Sequence, residues 1–178
     1  MVDWEHPNPR SASERAGMEL AEKGVSVAVV RLPQVHDTER QGLISPLLAI
    51  AVDKGVSGYV GDGANRWPAA PVADVAKLYR LALEHHQAGA RWHAVAEEGV
   101  SAKAIAEVLA EGLGIPAVPI AADDAPAHFG WMGMFAGLDM PASSAWTRDV
   151  LGWQPSGPDL LSDLRAMDYA RWREAARV

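Results

Sequence analysis

The chain has 178 residues, 49% hydrophobic and 22% charged, which suits one core-bearing domain, or one domain with a small lobe, and excludes a disordered or collagen-like polymer. Its formal charge of −7 disfavours nucleic acid or an anionic membrane as partner, because both call for clustered Lys and Arg. Cysteine is absent, which excludes disulfides, thiolate catalysis and Cys-ligated zinc, and no apolar run reaches the roughly 18 residues of a membrane span, so a cytoplasmic protein is expected.

The opening VDWEHPNPR, with two prolines and no periodicity, reads as a loop interior to a larger protein. Ser11 or Ser13 can cap a helix running to about Lys23, with Ala12, Ala16 and Leu20 on one face and Gly24 as its stop. Val25 to Leu32, apolar on both faces and rich in β-branched residues, has the pattern of a strand buried in a parallel sheet, and Pro33 ends it. Leu43 to Lys54 reads as a second helix, and Gly55 to Gly63 as a short strand with Tyr59 and Val60, followed by a turn.

Asp74 suits the positive end of the next helix as a cap, Val75, Leu78, Tyr79 and Ala82 form its apolar face, and His85 and His86 suit its other end. Those two histidines point to different sides and cannot chelate together. Arg91 to Ala96 resembles a second buried strand, Ser101 caps a helix carrying Ile105, Val108, Leu109 and Leu113, and Ala117 to Ile120 forms a third strand. From Asp123 the chain turns to short Trp-rich helical pieces. Ser143, Ser144 and Thr147 look like a helix start, and a last helix from about Pro158 presents Leu160, Leu161, Leu164 and Met167. Strands alternating with helices define an α/β fold.

Gly55, Gly58 and Gly61 match the spacing G-x-x-G-x-x-G of dinucleotide-binding turns, but the context is reversed: a helical segment precedes the glycines and strand-like residues follow. A pyrophosphate cradle needs a buried strand before the turn and a helix after it, so these glycines are read as turn formers.

Taken in order, GVSVAVVRLPQVHD, YVGDGANRWPAAPVADVAKLYRLALE, RWHAVAEEGVSAKAIAEVLAEGLGIP and SSAWTRDVLGWQP resemble the C-terminal half of extended short-chain dehydrogenases/reductases, and more narrowly the atypical NAD-dependent epimerase/dehydratase-like proteins. The resemblance runs from about Pro9 to about Leu164. It implies the C-terminal part of a doubly wound Rossmann-type fold, as a single domain over 1–178. Residues 10–96 would hold the end of the sheet with interleaved substrate-loop segments, and 97–178 a mainly helical substrate lobe. It also implies NAD or NADP as the parent cofactor and a small-molecule substrate, while the glycine-rich half that cradles the dinucleotide is missing from this sequence.

By position the family's catalytic Tyr-x-x-x-Lys falls on the first helix, which puts Arg10 at the Tyr position and Glu14 at the Lys position. An Arg cannot act as the acid/base at neutral pH, and a Glu would raise a neighbouring acid's pKa where Lys lowers it. The resemblance places Pro33, Gln34 and His36 in the loop that approaches the nicotinamide and substrate. His36 is either a replacement acid/base or a loop histidine bonded to backbone.

Asn65, Arg66 and Trp67 occupy the loop that borders the substrate in relatives, where Arg66 could pair with an anion and Trp67 could stack on a ring. His128 and Trp131, with Phe129, Met134 and Phe135, form either a lid over an apolar substrate or the core of the small lobe. Asp124 and His128 lie four apart without further ligands in register, so no metal is expected. These readings give a partial NAD(P)-dependent oxidoreductase or epimerase, inactive and without tight cofactor binding by itself. The alternative is a binding module that self-associates or pairs through the exposed edge of the strand Val25 to Leu32.

Overall fold

The computed structural model describes residues 11–175; the Arg10 position lies outside them. Helix α1 spans Ser11–Glu22 and closes on Gly24 at φ +86°. The face carrying Ala12, Ala16 and Leu20 is not buried: Leu20 is 47% exposed, and no residue of α1 is buried. The helix is instead held by its polar side, through Glu14, and by Gly17, where a methyl group would meet Val27 at 3.2 Å.

The predicted strand at Val25 to Leu32 contracts to β1, Val29–Arg31, which is only half-buried. Its pairing explains this. Strand β5, Arg91–His93, lies parallel to it in the register Val29↔Arg91, Val30↔Trp92, Arg31↔His93, and among the described residues no strand pairs with the other edge of β1. The Val29 N–H donates to Ala90 O at 2.9 Å, and Arg31 O accepts from Ala94 N at 3.0 Å. Residues 29 and 31 therefore turn their backbone groups toward β5, and residue 30 turns its own toward the free edge.

β1 ends ahead of Pro33 as expected, and a new strand begins just beyond it. Gln34–His36 forms β2, parallel to β4, Arg66–Pro71, and β4 runs antiparallel to β6, Glu97–Ser101. Both Gln34 and His36 are thus strand residues rather than loop residues, as are Arg66 and Trp67. The β4–β6 ladder shifts register between Trp67 and Ala69, so Pro68, which has no N–H to donate, sits at the irregularity.

The remaining elements follow their sequence signals more closely. Helix α2 spans Ile44–Lys54 and stops at Gly55, φ +67°, while β3, Ser57–Val60, pairs in parallel with β7, Ala117–Ile120. In α3, Val72–Glu84, Val75, Leu78 and Ala82 are buried, but Tyr79 is 43% exposed. Helix α4, Ala102–Leu113, is capped by the Ser101 hydroxyl, which accepts from Ala104 N at 3.2 Å, and it buries Ile105, Val108, Leu109 and Leu113 as its spacing predicts.

Beyond β7 come one-turn pieces, including α5, Ala125–Phe129, and α6, Gly133–Ala136. They are followed by α7, Ala145–Leu151, α8, Leu160–Arg165, and α9, Tyr169–Ala175. Two cores result. Ala70, Val75, Leu78, Trp92 and Trp153 pack together against Val30, while Ile44, Leu48, Trp67, Leu109, Met132 and Leu164 belong to the other.

Candidate functional site

In open parallel sheets ligands gather at the carboxyl ends of the strands, which here are Arg31 of β1 and His93 of β5. The Arg31 guanidinium forks onto Glu14, with Nε to Oε2 at 3.1 Å and Nη2 to Oε1 at 2.8 Å, and Arg91 Nε reaches the same Oε1 at 3.0 Å. Chiefly through the hydrogen bond from Arg31, and against some burial, this clamp holds the Glu14 carboxyl below the usual carboxylate range. His93 Nδ1 lies 3.0 Å from Ser143 O, which can only accept, so Nδ1 carries the proton and Nε2 is left to accept from Arg31 Nη1 at 3.4 Å. Glu14 thus ties α1 to β1 and β5. Arg31 and His93 were not singled out from the sequence, since only tertiary contact shows that they meet.

His36 is fully buried. Its Nδ1 bonds Asp163 Oδ2 at 2.7 Å, joining β2 to α8, and Nε2 has no partner among the described residues. Through the bond to Asp163, His36 pins β2 to α8. Gln34 is similarly occupied: its amide nitrogen bonds the carbonyls of Gln41 and Val35, and its oxygen accepts from Leu43 N at 3.0 Å. Pro33 is half-buried at the junction where the chain leaves one sheet for the other.

Asn65 and Arg66 brace the segment beyond α6. Asn65 Nδ2 donates to Ala136 O at 2.9 Å and Leu138 O at 3.2 Å, and Arg66 makes a two-pronged pair with Asp139 at 3.0 and 2.9 Å. Trp67 is 3% exposed, and its Nε1–H finds no acceptor among the described residues.

His128 is half-buried, edge-on to Phe129 at 4.6 Å. Burial, with a smaller push from the Lys54 charge, lowers its pKa and favours the neutral ring. Trp131 is 62% exposed and touches Phe135 edge-on at 6.3 Å, whereas Phe129 and Met132 are core. The 128–135 stretch thus contributes to both alternatives raised for it, lobe core on one side and an exposed aromatic ledge on the other.

Asp74 is not a cap. The cap position is Pro71, and the buried Asp74 carboxylate accepts from Ser156 N at 2.8 Å, Gly157 N at 2.7 Å and Lys77 Nζ at 2.8 Å, fastening the segment after Trp153. Burial pushes its carboxyl up, and these donors outweigh the push and leave it lowered.

Gly55, Gly58 and Gly61 do not form a pyrophosphate cradle. Gly55 ends α2, Gly61 turns the chain after β3 at φ +60°, and Gly58 lies in β3 against His128, so no strand-turn-helix cradle exists at these glycines. Among the described residues no group of three or more His, Asp or Glu side chains converges to hold a metal. None of the described helices is long and apolar enough to cross a membrane.

The fold is α/β of Rossmann type, as comparison with solved structures shows. A dTDP-glucose 4,6-dehydratase of Streptomyces venezuelae, solved with NAD and TYD, superposes with a TM-score of 0.63 at 19% identity, over 93% of this chain and 51% of its own. The Thermus thermophilus UDP-glucose 4-epimerase with NAD gives 0.60 at 17% identity, over 94% and 51%. A Bacillus anthracis dTDP-glucose 4,6-dehydratase with NAD gives 0.65 at 14%, over 98% and 53%. These are short-chain dehydrogenase/reductase enzymes of the epimerase/dehydratase type, of which the chain spans about half.

In sequence, the chain is similar to the uncharacterized protein C2A9.02 of Schizosaccharomyces pombe, 40% identical over 164 residues, and to the uncharacterized protein YLL056C of Saccharomyces cerevisiae, 43% identical over 166. It spans 56% of the length of each of these relatives. No family model matches the sequence.

Proposed function

We propose that this chain forms the C-terminal part of an NAD(P)-dependent oxidoreductase or epimerase of the short-chain dehydrogenase/reductase type, contributing the end of the sheet and a substrate lobe. By itself it is inactive. The observation that carries this reading is the parallel β1–β5 pair, held between α1 and α3, in a fold that matches half of each dinucleotide-bound neighbour. The parent would use NAD or NADP on a small molecule, and the elements that hold the pyrophosphate would lie outside residues 11–175. Titrating the purified chain with NADPH, followed by cofactor fluorescence, is expected to give no saturable binding up to about millimolar concentration, equivalent to about −4 kcal/mol or weaker. Micromolar affinity would overturn the reading.

A second reading is favoured by one observation. On β5, the edge away from β1 is covered by α7, whose Thr147 hydroxyl accepts from His93 N at 2.8 Å, while the far edge of β1 meets no described strand. The chain would then act as an interaction module that pairs through β1, with a second copy or with a chain supplying the next strand.

A further inference from the structure

We propose that the flank of α3 carrying Val72, Ala76, Tyr79 and Leu83 seats an amphipathic helix of the chain that supplies the strand beside β1, so that the partner docks as a strand-and-helix unit. The proposal deepens the second reading, that of an open β1 edge, and rests on it. Val72, Tyr79 and Leu83 are 45%, 43% and 77% exposed, and Ala76 between them is exposed too. Spaced four, three and four residues apart, they form one apolar stripe about 16 Å long on α3. Single exposed apolar side chains are ordinary on a surface, whereas a contiguous row marks a place of contact.

What covers the rest of α3 fixes where the stripe opens. Val75, Leu78 and Ala82 pack toward the strand pair, in one core with Val30 and Trp92. To one side of that buried face, Asp74 is held by Ser156 N and Gly157 N, and its carbonyl accepts from Trp153 Nε1 at 2.9 Å. This segment follows α7, which covers the edge of β5 away from β1. The stripe lies roughly half a turn around the helix from Asp74, with the buried face between, so it opens on the opposite side, that of the far edge of β1. By strand alternation Leu32 shares the face of Val30, toward α3, and it is 52% exposed. Arg31 alternates with them and holds α1 through Glu14 on the other face. Parallel sheets are covered by helices on both faces, and a strand added beside β1 needs cover on the α3 face that the stripe is placed to share.

The occupant is a chain of the kind that makes up the rest of the longer relatives, of whose length the present chain spans 56%. The charges beside the stripe are balanced, Arg80 with Glu84 at 3.6 Å and Lys77 with Asp74 at 2.8 Å, which suits an apolar helix face and not an anionic surface.

The test co-expresses the full chain with the stretch of the Saccharomyces cerevisiae relative that lies outside its matched 166 residues, then measures the affinity of the purified pair and the exchange of the Val30 amide. An equimolar complex is expected, with Val30 exchange slowed at least about tenfold. Combining Leu83→Lys and Tyr79→Lys, both at exposed positions, should weaken it by about tenfold or more. A complex indifferent to these variants overturns the helix seat, and a slowed Val30 in it leaves the open-edge reading standing. A complex in which Val30 exchanges as in the free chain overturns both. Absence of a complex overturns the proposal, as does self-association of the chain alone that Leu83→Lys abolishes, since the stripe would then belong to a second copy.

Discussion

Glu97 sits where β6 meets the start of α8, its Oε2 accepting from Leu160 N at 2.7 Å, with Asp159, Asp163 and His36 close by. Burial first, and then the two aspartates, push its carboxyl above the usual carboxylate value, against the Leu160 hydrogen bond and the pull of His36. An acid raised on folding is protonated in both states at low pH. As pH rises, the unfolded chain ionises first, so stability falls between the unfolded value near 4.5 and the raised folded one, and the loss persists above it. Glu97→Gln keeps an acceptor for Leu160 N and removes the charge. It is therefore expected to change stability little at pH 4 and to raise it at pH 7, read by urea unfolding at both values.

The same scale explains why the candidate residues were legible and their roles were not. Glu14, His36 and Asn65 are marked out by the positions the resemblance gives them, and Asp74 as an acid at a helix start. Their partners, Arg31 and Arg91, Asp163, the carbonyls of Ala136 and Leu138, and the amides of Ser156 and Gly157, lie far along the chain, where no spacing rule reaches. The contacts show what sequence distance hides: these side chains are ties between elements.

At the scale of elements, legibility followed periodicity. Helix α4 was readable because Ser101 and the 3.6-residue spacing of Ile105, Val108, Leu109 and Leu113 agree. Strand β4 was not, because Pro68 and Pro71 punctuate a six-residue strand, and β2 is too short to show alternation. The expectation that β1 would be buried on both faces depended on neighbours that a sequence window does not supply. With one partner, its flanking residue Leu32 is 52% exposed. If that edge is sticky, the chain should sediment faster as concentration rises, and Leu32→Lys, which places a charge beside the edge, should remain a monomer at the same concentrations. A wild-type chain that stays monomeric throughout would remove the second functional reading.

At the scale of the whole molecule, the two cores interleave along the chain. One gathers β1, β5 and α3 with Trp153, while the other draws α2 and Trp67 together with α4, α5 and α8. The resemblance anticipated a sheet end joined to a helical lobe, and the fold likeness bears out the Rossmann-type architecture. It did not anticipate the parallel pair β3–β7, or that β2, β4 and β6 would form a separate sheet bridging the cores.

The central proposal is that, among the described residues, β1 is the last paired strand on its side, with its far edge open to a further strand. Amide hydrogen exchange across β1 in the dilute chain tests it most directly. Val29 and Arg31, turned toward β5, should be protected, while Val30, turned the other way, should exchange at least about tenfold faster. Equal protection at all three would mean that the far edge is already paired, and would contradict the account.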